Sequence, residues 1–156
     1  MKHIRHYFCT VLLGTAVLTA CSGAEKVKSN TPVQITMWNY YNGAQKEEMD
    51  RLVQEFNDTV GLKQKIVVES VSKGSVSELE DAVRDSTDGK TGSDPLPDFC
   101  SAYADAAYDL WKKDKISDFR PYLTDEEYDS YISGYLEEGN FGTNAAMMIF
   151  PVAKST

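Results

Sequence analysis

The chain has 156 residues, with 24 Asp and Glu against 16 Lys and Arg, a formal charge of −8. That length suits one domain with its own core, and the acidic balance repels phosphate backbones, which argues against a nucleic-acid partner. Both histidines, His3 and His6, lie at the extreme N-terminus, so the rest of the chain cannot build a Ser-His-Asp or Cys-His triad or a His/Cys zinc site.

The first segment has its own pattern. Lys2 and Arg5 are followed by a charge-free, mostly apolar run over 7–18. Such a run of about twelve residues matches the apolar core of an export signal and falls short of the roughly 20 needed to span a bilayer. Leu18-Thr19-Ala20-Cys21 comes next. Small residues before a cysteine resemble the lipobox of bacterial lipoproteins. The resemblance implies that residues 1–20 are a signal peptide and that Cys21 is the lipid-modified first residue of the mature chain. Residues 21–31 would then form a lipidated, flexible tether. It also implies a location on the extracytoplasmic face of the bacterial membrane, held by acyl chains at about 0.8 kcal/mol per buried methylene. The mature chain would carry 14 basic and 24 acidic residues, a charge of −10. With Cys9 removed and Cys21 acylated, Cys100 alone remains. No internal disulfide framework is possible, and Cys100 reads as a small buried hydrophobe.

Beyond the tether, Val33-Gln34-Ile35-Thr36-Met37 alternates apolar and polar residues and predicts a strand over 33–38. Asn42 is placed to cap a helix over 43–57, where Met49, Leu52, Val53 and Phe56 form one stripe, and Gly61 reads as its stop. A second strand is expected over 66–71. Ser75-x-x-Glu78 reads as a capping box opening a helix with Val76, Leu79 and Val83 on one face. A polar loop over 85–97 leads to a third strand, 98–102, and a helix over 104–113. Thr124-x-x-Glu127 is a second capping box, followed by a helical stripe of Tyr128, Tyr131, Ile132 and Tyr135. A turn over 140–143 precedes an apolar strand over 145–150. The order β-α-β-α-β-α-α-β predicts an α/β fold with a parallel-type sheet and flanking helices.

Familiar motifs are present only in incomplete form. Gly89-Lys90-Thr91 lacks the upstream glycine of a phosphate-binding loop, since that position is Arg84. The acidic stretch 85–94 lacks the ligand alternation of a calcium loop. Asn57-Asp58-Thr59 matches a glycosylation sequon without informing on function. Asp105 and Asp109 share one helix face, so they are a poor pair for acid–base work. No catalytic residue, metal site or cofactor is expected.

Ligands of open parallel sheets bind beyond the carboxyl ends of the strands. The candidate site therefore takes Trp38, Asn39, Tyr40 and Tyr41 after the first strand and Ser101, Tyr103 and Asp105 after the third. Rings for C–H faces, with amide, hydroxyl and carboxylate groups for hydrogen bonds, suit a carbohydrate.

Four stretches carry a further resemblance: 33–56 with its Trp-Asn-x-x-Asn-Gly, 65–71, Pro97-Asp98-Phe99 through Asp105, and Phe150-Pro151-Val152-Ala153-Lys154-Ser155-Thr156. In this order they resemble the N-terminal part of family 1 extracellular solute-binding proteins of ABC importers, the maltose- and glycerol-phosphate-binding cluster. The resemblance implies a type II periplasmic-binding-protein-like fold, whose two lobes close on a carbohydrate or polyol and deliver it to the transmembrane permease, without catalysis. Asn39 and Tyr40 match ligand-contacting positions, and Asp105 matches an acid that bonds sugar hydroxyls. Ala102 stands where some relatives carry a stacking Trp, with Tyr103 beside it. Relatives continue well past the closing motif. The expectation is therefore that residues 32–156 are a partial N-terminal lobe with the second lobe missing, binding sugar weakly or not at all alone. The competing classes are a cell-surface glycan hydrolase, which needs two carboxylates facing each other at roughly 5–9.5 Å, and an adhesive lipoprotein, which needs a large exposed apolar patch.

Overall fold

The computed structural model describes residues 31–141 and 146–152. The signal peptide, Cys21 and nearly all of the tether lie outside these residues, as do parts of the last predicted turn and strand and of the closing motif.

A three-stranded parallel sheet organises the chain. β1 (Val33–Asn39) is its middle, between β2 (Ile66–Ser72) and β3 (Phe99–Cys100). Ile35 pairs with Val68, Trp38 with Val71 on one side and Cys100 on the other, and Met37 with Phe99. Side chains in register on neighbouring strands point the same way. Ile35, Met37, Val68 and Phe99 therefore share one face, and Trp38, Val71 and Cys100 share the opposite one.

Helices cover both faces, each through its predicted stripe. On the first, Met49, Leu52, Val53 and Phe56 of α1 (Gly43–Phe56) meet Met37 and Val68 around a small apolar cleft of about 200 Å³. On the second, Leu79 and Val83 of α3 (Val76–Thr87) and Leu110 of α4 (Ala104–Lys112) close on Trp38, which is 3% exposed. Tyr40, Val71, Cys100 and Ile116 pack around this core. Burial pushes the Cys100 thiol up, in keeping with its reading as a small apolar group.

Side chains finish the sheet edges. The Asn57 amide donates to Val68 O and accepts from Val68 N, both at 2.8 Å. It thereby imitates a neighbouring strand along the outer edge of β2, a structural use for the sequon asparagine. At the other edge of β1, Thr36 N donates to the Asp98 carboxylate at 2.9 Å. That side chain takes the place of a strand partner, so β3 is two residues long where five were expected.

Gly61 is not a stop. The helix runs on through a π turn (Asn57–Gly61) and α2 (Leu62–Gln64), and it ends at Lys65, which is left-handed at φ 57. Gly61 itself is helical and buried. Asn42 holds the N-cap position of α1 but makes no side-chain cap bond. Its Nδ2 donates instead to Gly74 O at 2.9 Å. Ser75 does cap α3, accepting from Glu78 N.

The C-terminal third departs most from its pattern. Thr124 and Glu127 form a complete capping box, but α5 (Asp125–Asp129) is a single turn. Tyr131 turns to meet the Phe150 ring edge-on, with centroids 5.4 Å apart, and Ile132 is extended and exposed before the short α6 (Ser133–Leu136). The predicted tyrosine stripe is therefore broken by tertiary contact, and not all of its apolar surface goes to packing. Residues 146–150 are not a strand. Met147 is buried because Asp118 accepts its N–H at 2.7 Å and Phe119 N donates to its carbonyl at 2.9 Å. Loop partners satisfy this apolar segment without a sheet.

Candidate functional site

The carboxyl ends of the parallel strands are tied into one platform. Asn39, 1% exposed, donates through Nδ2 to Ser70 Oγ at 2.9 Å and accepts from Tyr41 N at 3.1 Å. Lys73 N donates to Asn39 O at 2.8 Å, and Ser72 Oγ donates to Tyr41 O. With the Asn42–Gly74 bond, these contacts sew the loop after β1 to the loop after β2. Ser101 N donates to Trp38 O at 2.9 Å and adds the end of β3.

Three tyrosines stand on this platform. The Tyr40 ring lies 5.0 Å from Tyr41, tilted by 58°, and 6.4 Å from Tyr103, nearly parallel at 11°. Tyr103 is exposed, while Tyr40 and Tyr41 are half-buried. Burial first, then the Tyr103 and Tyr41 phenols, push the Tyr40 hydroxyl above the ordinary tyrosine value. At neutral pH it stays protonated and can donate.

Ser101 and Asp105 fall on a separate feature. With Ala102 they line one end of a cleft of about 490 Å³ between α3 and α4, floored by Leu79, Val83 and Leu110. Asp105 is exposed in the first turn of α4, where it accepts from Ala106 N. Asp109, further along the cleft, is paired with Lys112 at 2.8 Å, which holds its carboxyl below the usual range. It is a poor proton donor. Among the described residues, no group of three or more His, Cys, Asp or Glu is placed to hold a metal ion.

The predicted residues thus separate into roles. Tyr40, Tyr41 and Tyr103 come together. Ser101 and Asp105 border the adjoining cleft. Trp38 and Asn39 are buried under the platform as supports, because α3 and α4 cover the face on which Trp38 lies and the Asn39 amide is spent on Ser70 and Tyr41. A further residue at this edge is Lys73, whose ammonium lies over the Trp38 ring, 3.7 Å from its centroid. The strand-end rule that singled out residues after the first and third strands applies equally to the second, where Ser72-Lys73-Gly74 stands.

No known protein-family profile matches the chain, and no curated protein sequence does. Solved structures do. One is the maltotriose-binding protein of Thermus thermophilus bound with maltotriose, at TM-score 0.55 and 18% identity, covering 73% of this chain and 28% of that one. Another is CpMnBP1 with mannotriose bound, at TM-score 0.52 and 18% identity, covering 70% of this chain and 26% of that one. The likeness establishes a periplasmic-binding-protein-like α/β fold for the chain, which spans little more than a quarter of the length of either neighbour.

Proposed function

We propose that this chain is the carbohydrate-contacting part of an ABC-importer solute receptor, binding an oligosaccharide or related polyol and passing it to a membrane permease. The observation that carries this reading is the Tyr40–Tyr41–Tyr103 group at the carboxyl edge of a parallel sheet. Sugar rings present C–H faces that pack on aromatic rings, and their hydroxyls exchange hydrogen bonds with phenols, hydroxyls and carboxylates. Tyr103 supplies an exposed ring and Tyr40 a protonated hydroxyl, with Ser101 and Asp105 within the adjoining cleft. The two neighbours with this fold are trisaccharide complexes, which supports the class of ligand. A hydrolase gains no support, because Asp105 and Asp109 share α4 and the second is neutralised by Lys112.

The reading commits to weak binding by this chain alone, in the millimolar range, and NMR titration with maltotriose and mannotriose tests it. Tyr103→Ala should weaken binding roughly tenfold, the loss of one ring contact, with the fold intact because the side chain is exposed. A trisaccharide that shifts no resonance, or that binds the variant as well as the parent, rules the site out.

The proposal extends to an anchor. Cys21 would carry lipid and keep the domain at the extracytoplasmic membrane face, beside the permease. In a bacterial host, Cys21→Ser is expected to move the chain from the membrane fraction to the soluble one. A variant that stays with the membrane removes the thioether from the account.

A further inference from the structure

Lys73 differs from the other ion-paired cations among the described residues. Its side chain is 16% exposed, the least of them, whereas most of the rest pair along helix surfaces and are about half exposed or more. It leaves β2 at the carboxyl edge and lies over Trp38, in the core cluster against which Tyr40 also packs. Its backbone is fixed by the bond to Asn39. An ammonium set over a ring face also needs an anion. It has one, Asp94 Oδ2 at 3.0 Å. Asp94 sits on the loop after α3 with its side chain 69% exposed. The cation is thus held by the fold, and its anion comes from a surface loop.

Resting on the carbohydrate reading, we infer that Lys73 makes this site select sugars that carry a carboxylate, uronate-containing oligosaccharides, with Asp94 holding the position that the ligand's carboxylate takes. An exposed loop carboxylate returns to water at little cost, and exposed ion pairs contribute little. A ligand carboxylate fixed beside the tyrosines would keep a charge-assisted bond to Lys73 while its ring packs on Tyr103. A neutral sugar leaves Lys73 with Asp94 and gains only the rings and hydroxyls. The acidic surface opposes an anionic ligand at long range, but charges are screened beyond about 8 Å at physiological salt, so the local ammonium decides at contact.

The test is a set of parallel NMR titrations of the full chain with trigalacturonate and maltotriose. Trigalacturonate should bind at least about tenfold more tightly, the usual scale of one charge-assisted bond, and the margin should shrink at high salt. Lys73→Met should abolish the margin, since the charge-assisted bond to the carboxylate is lost. Asp94→Asn, which removes the competing carboxylate, should tighten trigalacturonate only. If Lys73→Met fails to fold, Asp94→Asn decides, and unchanged or weaker trigalacturonate binding overturns the inference. Equal or tighter binding of maltotriose by the parent, or a margin that survives Lys73→Met, overturns it too and leaves the carbohydrate reading standing. Binding of neither sugar overturns both.

Discussion

Trp38→Ala is expected to cost about 3–5 kcal/mol, the range for emptying a large aromatic site in a core. Trp38 is 3% exposed on the middle strand, and its ring is the common contact of α3, α4 and the end of β2. Truncation leaves a cavity bounded by Leu79, Val83 and Leu110, which belong to three separate turns of helix and cannot all move in to fill it. It also takes the ring from under Lys73, which keeps the Asp94 carboxylate of a surface loop as a partner. Small domains have about 5–15 kcal/mol of stability in all, so the variant should be mostly unfolded in low urea. Trp38→Phe keeps a ring below Lys73 and a smaller void and should lose about half as much. Urea unfolding followed by circular dichroism measures both. A Trp38→Ala midpoint equal to that of the parent would mean that the sheet does not pack on this residue.

Gly61→Ala should destabilise by about 1–3 kcal/mol, although alanine is the better helix former by about 1 kcal/mol. A Cβ at Gly61 would stand 2.5 Å from Ile66 O and 3.1 Å from both Phe56 Cε1 and Phe56 O. Two of those three atoms are backbone, one of them at the start of β2, and cannot swing aside as a side-chain tip would. The clash outweighs the propensity. Lys65→Gly provides the contrast. Lys65 is the left-handed residue at φ 57, where glycine relieves roughly 1 kcal/mol of strain and gives back about 0.5–1 kcal/mol in unfolded-chain entropy. That substitution should be close to neutral. Thermal melts of the two variants separate the explanations: a Gly61→Ala variant more stable than the parent would mean that helix and strand do not approach closely there.

The two glycine-related positions show where local reading succeeds and where it stops. A glycine after an apolar stripe is a sound helix-stop signal when nothing else constrains it. Here the constraint is the return of β2 against the helix end, a contact between segments that periodicity treats separately. The same holds for Asn42, whose amide could cap its own helix but reaches Gly74 on another loop. The stripe from Tyr128 to Tyr135 has a helical period, yet Tyr131 is drawn to Phe150, a residue beyond any local window.

What the amino-acid order determined by itself was the succession of elements from Val33 to Lys112. Alternation in β1, the Met49-Leu52-Val53-Phe56 stripe, the β-branched run of β2 and the Ser75 cap are each decided within a few residues of themselves. Strands separated by helices are expected to lie parallel, which implies the fold class and points to the carboxyl edge for the candidate site. Tertiary structure alone decided which strand-end side chains face outward. Trp38 and Tyr40 are two apart in an alternating segment, so pattern cannot separate them. α3 and α4 bury the first and leave the second at the rim with Tyr103. It also decided that Asn39 is a buried tie and that Lys73, unremarked in sequence, is a cation held over an aromatic ring. Burial and ion pairing are properties of what the rest of the chain brings alongside, and no local spacing encodes them.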